Sequence, residues 1–169
     1  IWPAMLMGYG DLNLPYDVPA NEYMNLEGLK LSTSRNWAVW LPDYLDRYEP
    51  DPLRYFIAAS MPETSDSDFS WSEYVRRNND ELVATYGNLV HRVLTMTYRN
   101  FDGRVPESGE LDDAARGLLA QARSHFDEVS ASIEACRFRL AIQSAMALAR
   151  ETNRYLDQEA PWRSVRTDK

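Results

Sequence analysis

The feature that most limits the fold is a helical repeat of apolar residues that begins after Ser70 and continues almost to the end of the chain. Apolar residues recur there at spacings of three and four, which is the periodicity of amphipathic helices. They form three successive sets: Val75, Leu82, Tyr86, Leu89 and Val93; Leu111, Ala115, Leu118, Ala122, Val129 and Ile133; and Phe138, Ala141, Ile142, Ala145, Met146, Ala149, Thr152 and Leu156. Long amphipathic helices with short connections predict an antiparallel bundle.

Capping and helix-breaking residues mark the ends of these helices. Ser70 followed by Glu73 predicts a capping box, in which each side chain bonds a free amide of the first turn. The segment NFDGRVPESG, residues 100–109, ends the first helix. Pro161 ends the third, because proline disfavours helix in the residue before it. The sequence therefore predicts three long helices after residue 70.

Two shorter regions precede the helical part. Residues 1–37 mix short apolar runs with glycines and prolines, which predicts short strands and loops with one short helix near the start. Residues 38–70 hold two short helical patterns, around 41–48 and 52–59, and Asp51 ahead of a proline is the predicted N-cap of the second. The chain opens on Ile1 in the apolar run IWPAMLMG, so we interpret it as a piece of a longer protein.

Composition excludes several classes of protein. The chain has 169 residues with 44% apolar side chains, enough for a core, and a net charge of −8, which argues against a non-specific nucleic-acid binder without excluding a local basic patch. Cys136 is the only cysteine, so we predict neither an internal disulfide nor a metal site. No apolar run has the length of a membrane span and no signal peptide is recognisable, which predicts a cytoplasmic protein without membrane contact.

The stretch GLKLSTSRNW, residues 28–37, has the side chains of a phosphate-handling loop. Lys30 offers a positive charge, and Ser32, Thr33 and Ser34 offer hydroxyl donors. Phosphoryl and nucleotidyl transfer use such groups because negative charge builds on the phosphate oxygens in the transition state. On spacing alone the pattern is common, and a solvated turn is the default interpretation.

The segment Lys30-Leu31-Ser32-Thr33-Ser34 resembles the second signature of class I aminoacyl-tRNA synthetases, usually written KMSKS. The segments IWPAMLMG, DPLRYFIAA, YGNLVHR and NRYLDQEAPW occur in the order found in the methionyl-tRNA synthetase family, which the chain resembles over essentially its whole length. The resemblance implies a mainly α fold in three regions. Residues 1–37 would end a Rossmann-type α/β catalytic domain, residues 38–70 would form a stem-contact region, and residues 71–169 would form the helical anticodon-binding bundle.

In that family the signature loop closes on ATP, bound with Mg²⁺, as the methionine carboxylate attacks the α-phosphate; methionine then passes to the tRNA. The resemblance assigns Lys30, Ser32, Thr33 and Ser34 to this loop. Thr33 stands where the family has its second lysine, so Arg35 becomes the candidate for the missing charge, with a surface arginine as the alternative. The first class I signature is absent, so we expect this chain alone to form no adenylate and to hold no cofactor.

The resemblance also implies three anticodon-binding residues: Asn88, Arg92 and Trp162. In the family, an Asn and an Arg four positions apart on one helical face read the CAU anticodon, and a Trp stacks on an anticodon base. An amide supplies a donor and an acceptor, a guanidinium supplies a planar fork, and single-stranded loops expose base edges. The implied partners are tRNA(Met), through its anticodon loop and inner stem, with methionine and ATP. Without the family, Asn88 and Arg92 read as a solvated face and Trp162 as a packing residue.

Other residues have structural interpretations. Trp37, Trp40 and Trp71 are predicted to pack between the stem-contact region and the bundle, and Asn153 to make structural hydrogen bonds. His125 lies on the second long helix with no partner that the sequence identifies.

Two other functions stay open at this point. The first is another class I aminoacyl-tRNA synthetase, specific for leucine, isoleucine, valine or cysteine, because these enzymes share the signature loop and a helical bundle. The second is a helical interaction module with no RNA role, which the acidic net charge favours.

Overall fold

The computed structural model describes residues 1–163, which are mainly helical with one small sheet. Three short helices come first: α1 (Trp2–Tyr9), α2 (Leu41–Leu45) and α3 (Pro50–Ala59). A continuous long helix, residues 71–100, consists of α4 (Trp71–Arg77), a π-helical segment (Asn78–Gly87) and α5 (Asn88–Asn100). Two further helices follow: α6 (Asp113–Glu134) and α7 (Phe138–Glu159). The predicted mainly α class is confirmed.

The sheet has three short strands: β1 (Met24–Leu26), β2 (Leu29–Lys30) and β3 (Ser67–Phe69), in the order β2-β1-β3. β1 and β2 form an antiparallel hairpin, and β3 lies parallel to β1 on its other side. The hairpin turn consists of Glu27 and Gly28, both with positive φ (50° and 74°), as a two-residue type I′ turn requires. β2 ends at Lys30, so the hairpin delivers the chain directly into the candidate phosphate loop.

A compact apolar core joins the sheet to the two helices that follow it. It consists of Leu26, Tyr44, Leu53, Phe56 and Phe69. Phe56 is 1% exposed, and its ring centroid lies 4.9 Å from that of Phe69 in an edge-on arrangement. The Tyr44 hydroxyl lies 2.7 Å from that of Tyr74 on α4. The core therefore fixes the hairpin against α3 and the start of the long helix.

The start of the long helix confirms one half of the predicted capping box. The Ser70 side chain accepts a hydrogen bond from the Glu73 amide at 3.3 Å. The Glu73 carboxylate, however, accepts hydrogen bonds from Arg76 at 2.6 Å and Arg77 at 3.0 Å. The second half of the box is wrong because these two cations lie within reach on the next turn and bind the carboxylate.

The three long helices form the predicted bundle. α7 packs against both α6 and the long helix, and the short connection makes α6 and α7 antiparallel. Small side chains of α7 allow this close approach; among its buried residues are Ala141, Ser144 and Ala149. α7 ends at Glu159, just ahead of Pro161 as predicted.

Two local predictions fail. Asp51 is not the N-cap of α3, because Glu49 takes that position and Pro50 takes the first helical position, for which its fixed φ is suited. Five residues that the helical repeat placed on its buried stripes are exposed: Val75, Tyr86, Leu111, Ile133 and Ala145. For the first two, the π-helical segment bonds to the fifth residue back rather than the fourth, so a period of 3.6 cannot keep one face aligned across it. Leu111 precedes the start of α6 at Asp113. Within residues 1–163, no helix combines the length and apolar character that crossing a membrane requires.

Candidate functional site

The candidate phosphate loop is an exposed turn closed by backbone hydrogen bonds. Ser32 and Trp37 each donate an amide to the other's carbonyl, both at 2.9 Å. The Ser32 and Ser34 hydroxyl oxygens lie 3.3 Å apart, and the side chains of Lys30 and Thr33 are exposed on the same turn. The structure therefore brings the four predicted loop residues together where a ligand can reach them.

Two cationic side chains lie at the base of this loop. The Lys30 ammonium is 5.4 Å from the centre of the Tyr23 ring. The Arg35 guanidinium donates to the Lys30 carbonyl at 3.4 Å. Arg35 is thereby held beside the start of the loop.

Two carboxylates hold the hairpin that carries the loop, one against strand β3 and one against the long helix. The Gly28 amide donates to Asp68 on β3 at 2.8 Å. The Trp71 amide, the first of α4, donates to the Glu27 carboxylate at 2.8 Å. A carboxylate is favoured there because a helix N-terminus carries unpaired amides and partial positive charge. Sequence reasoning missed both contacts, because their partners lie 40 and 44 positions apart.

The second site is centred on Arg92, whose guanidinium has three partners. It donates to Asp157 on α7 at 2.6 Å and to the Asn153 side-chain oxygen at 3.3 Å. Its central carbon lies 5.3 Å from the ring centroid of Trp162. The structure thus brings together two of the three predicted anticodon-binding residues, Arg92 and Trp162, and adds two partners that the sequence did not identify in this role.

Asn153 makes the structural hydrogen bonds that the sequence predicted. Its side-chain nitrogen donates to the carbonyl of Thr85 in the π-helical segment at 3.0 Å and to the carbonyl of Ala149 at 3.2 Å. Its side-chain oxygen remains for Arg92. One amide group therefore fixes the long helix to α7 and orients the guanidinium.

Two hollows open on either side of Arg92. One, of about 380 Å³, is lined by His91, Arg92, Met96, Arg99, Leu156 and Trp162, among others. The other, of about 550 Å³, is lined by Thr85, Asn88, Arg92, Arg150, Asn153 and Arg154, among others. Asp157 also lines the second hollow and pairs with Arg92, so the other three arginines, Arg99, Arg150 and Arg154, give this surface its excess of positive charge. Asn88 is exposed in the second hollow, so the structure leaves its amide free to meet a ligand rather than pairing it with Arg92.

Of the three tryptophans near the loop, Trp71 has its predicted packing role and Trp37 and Trp40 do not. Trp71 packs edge-on against Phe69 at 5.1 Å, as a packing anchor should. The Trp37 indole donates to the Leu26 carbonyl at 3.0 Å, and that of Trp40 donates to Asn36 at 2.8 Å. These two stabilise the hairpin and loop rather than an interface with the bundle, because the carbonyl and amide that bind them lie on the same short stretch of chain.

His125 has partners that the sequence did not reveal. Its Nδ1 lies 2.8 Å from the Ser144 hydroxyl, and that hydroxyl donates to Glu128 at 2.6 Å. A hydroxyl has one hydrogen, so Nδ1 is the donor to Ser144. The group connects α6 to α7 and has a structural role. In the part of the chain that the structure describes, no three His, Cys, Asp or Glu side chains are arranged to hold a metal ion.

Comparison with known proteins gives two family matches. Residues 1–94 match the family described as tRNA synthetases class I (M), and residues 105–169 match the anticodon binding domain of methionyl tRNA ligase. The methionine–tRNA ligase of Roseiflexus castenholzii is 56% identical over 99% of this chain and 28% of its own length. That of Dehalococcoides mccartyi is 59% identical over 100% of this chain and 31% of its own length.

Solved structures agree with these matches. The Mycobacterium tuberculosis methionyl-tRNA synthetase in complex with methionyl-adenylate superposes with a TM-score of 0.85 at 33% identity, covering 95% of this chain and 31% of that one. The chain therefore spans less than a third of the length of these relatives. The matches favour neither a synthetase for another amino acid nor a module without an RNA role. The chain belongs to the methionyl-tRNA synthetase family of the class I aminoacyl-tRNA synthetases.

Proposed function

We propose that this chain acts in methionine–tRNA ligation, the ATP-dependent activation of methionine and its transfer to tRNA(Met). In this proposal the exposed loop serves the activation step, and the surface around Arg92 reads the CAU anticodon. The observation that carries it is the arrangement of Arg92, held by Asp157 and Asn153 with its guanidinium over Trp162. The family membership of the chain supports it.

The surface around Arg92 suits a single-stranded RNA loop. Trp162 is 41% exposed, so part of its ring remains open to an unstacked base, and such stacking is typically worth about 1–3 kcal/mol per base. The guanidinium of Arg92 is oriented before any base arrives, which lowers the entropy cost of binding. Asn88 offers a donor and an acceptor to a base edge. The neighbouring arginines attract the phosphate backbone, and we expect the affinity to fall as salt rises.

The loop suits a nucleoside triphosphate. Lys30 and Arg35 place two positive charges near Ser32, Thr33 and Ser34, whose hydroxyls can donate to phosphate oxygens. These donors fit ATP, whose bound Mg²⁺ would add charge neutralisation at the phosphates. In this proposal Lys30 stabilises the charge that develops as methionine attacks the α-phosphate, and Arg35 takes the place of the family's second lysine. The chain alone is expected to form no adenylate, because the first class I signature is not among its residues.

We also propose a division of labour along the chain. Residues 1–37 belong to the catalytic domain, residues 38–70 contact the inner stem of the tRNA, and residues 71–169 bind the anticodon; residues 164–169 lie outside the described residues. We propose a cytoplasmic location, because translation in the cytoplasm requires charged tRNA.

The test is a titration of the chain with two anticodon stem-loops at fixed salt, one bearing CAU and one with a single changed anticodon base. We expect tighter binding of CAU, and we expect Trp162→Ala to lose roughly tenfold to a hundredfold of that affinity. Trp2→Ala is the matched control, because Trp2 is also an exposed tryptophan (55%) but lies in residues 1–37, outside the regions proposed to contact the stem and the anticodon. A folded wild-type chain that does not distinguish the two stem-loops would contradict the proposed anticodon reading.

A further inference from the structure

The middle of the long helix is wound as a π-helix. The Asn88 amide donates to the carbonyl of Val83, five residues back, and also to that of Thr85. The Thr85 hydroxyl donates to the carbonyl of Asp80, again five residues back, at 2.8 Å. π-helical turns are rare and are frequently found at functional sites. This one ends immediately before Asn88 and one helical turn before Arg92.

Gly87, the last residue of the π-helical segment, is required there by space. Its backbone is ordinary helix, with φ −61° and ψ −42°, so its conformation does not demand glycine. A Cβ at this position would lie 2.9 Å from the backbone oxygen of Leu82, too close for any real Cβ contact. Since alanine is the better helix former by roughly 1 kcal/mol, glycine here reflects the close approach of two successive turns of the same helix rather than helix propensity.

The π-helical segment is connected to Arg92 through one side chain of α7. The Thr85 carbonyl accepts from the Asn153 side-chain nitrogen at 3.0 Å, and the Asn153 oxygen accepts from Arg92 at 3.3 Å. We propose that Gly87 is a positioning residue for Arg92. It permits the π-helical backbone that presents the Thr85 carbonyl to Asn153. The orientation of Arg92 is a property of the chain without RNA. Only the expected effect on anticodon affinity rests on the proposed function.

A side chain at position 87 should disturb this connection in a defined way. The Leu82 carbonyl is backbone and cannot swing aside, so the segment must shift as a unit. Hydrogen bonds weaken steeply when they lengthen or bend. A shift of the segment should therefore weaken the hydrogen bond from the Asn153 side chain to the Thr85 carbonyl. Arg92 then retains Asp157 but loses the fixed Asn153 oxygen that sets the plane of its guanidinium.

The experiment compares Gly87→Ala with Gly117→Ala. Gly117 lies in α6, where an added Cβ meets no atom within 4 Å, so it controls for the change in helix propensity. The first readout is the nuclear magnetic resonance of the Asn153 side-chain amide and the Arg92 Nε–H group in the RNA-free chain. The second is the affinity ratio for the CAU and altered stem-loops.

In Gly87→Ala we expect both signals to move and the affinity ratio to fall by about tenfold, the effect of one misplaced polar contact. In Gly117→Ala neither should change. Unmoved signals in a folded Gly87→Ala chain would overturn the inference. If wild type shows no preference for CAU, the proposed function fails, and the two signals still decide the role of Gly87.

A second variant covers the outcome in which Gly87→Ala does not fold. Thr85→Val removes the hydroxyl bond to the Asp80 carbonyl, which favours the π-helical register, without adding bulk. The same two signals are expected to move in this variant. If they remain in place while the chain is folded, the π-helical segment does not position Arg92 and the inference is wrong.

Discussion

Replacing Phe56 by alanine should remove most of the stability of the core that holds the signature hairpin. Phe56 is 1% exposed, the least exposed large side chain in the described chain. Its ring meets Phe69 at 4.9 Å and Tyr74 at 5.9 Å, so it contacts both a strand of the sheet and the start of the long helix. Truncating such a buried phenylalanine typically costs about 3–5 kcal/mol, the sum of lost transfer free energy and the cavity left behind.

The assay is urea unfolding followed by tryptophan fluorescence, since Trp71 packs directly against Phe69 and reports on this core. Ile57→Ala is the matched control, because Ile57 is the next residue of the same helix and is 40% exposed. It truncates a smaller apolar side chain on the outer face of the same helix and should cost less than about 1 kcal/mol. It therefore controls for loss of an apolar side chain from α3 at an exposed position.

One result would refute the reasoning about the core. If Phe56→Ala and Ile57→Ala lowered the free energy of unfolding equally, Phe56 would not be the central contact between sheet, α3 and long helix. A total loss of about 3–5 kcal/mol is a large part of the roughly 5–15 kcal/mol available to a typical domain. We therefore expect Phe56→Ala also to increase hydrogen exchange at the amides of Ser32 and Trp37, which close the loop.

Two further predictions concern carboxylates. Hydrogen bonds from Arg76 are the main cause that lowers the pKa of Glu73 from 4.5 to about 2, so its stabilisation is present above pH 4.5 and is lost as the pH falls towards 2. Because the Glu73 side chain is 37% exposed, solvent screening limits the effect to about 1 kcal/mol. The difference in unfolding free energy between wild type and Glu73→Gln should therefore disappear as the pH falls from 4.5 towards 2. A difference that does not change with pH would contradict this. Glu27→Ala should speed hydrogen exchange at the Trp71 amide and lower the free energy of unfolding by about 1 kcal/mol. Glu27→Gln keeps an acceptor oxygen and should lower the free energy of unfolding by less. Identical exchange in both variants would show that the contact does not hold the hairpin.

Much of the helical architecture could be predicted from the sequence because its causes are local. Apolar spacing, the Ser70 cap and the proline at 161 each act within a few residues of where they stand. The cap and the proline mark the helix ends as predicted, and the spacing predicts the three long helices, although not every buried face. Asp51 shows the limit of such reasoning. Two prolines compete for the same first turn, and the sequence alone does not say which takes it.

The candidate site was only partly predictable. Asn88 and Arg92 are four positions apart, which placed them on one helical face. The resemblance to a family added Trp162 and the loop residues. Neither kind of reasoning identified Asn153 and Asp157 as partners of Arg92, because they lie 61 and 65 positions away on another helix. The sequence also marked no feature at Gly87, since the contact with Leu82 exists only when the helix is wound as π.

The sequence by itself thus determined the helices, most of their ends and the chemical groups available along them, because periodicity and capping are properties of neighbouring residues. The tertiary structure alone decided which of those groups meet. It placed the Glu27 carboxylate at the first amide of α4 and inserted a π-helical segment between α4 and α5. It also oriented the Arg92 guanidinium against α7 and over the Trp162 ring. The physical reason is that contacts between distant segments depend on how the side chains of one helix fit between those of another. The apolar period of a single helix does not specify that fit.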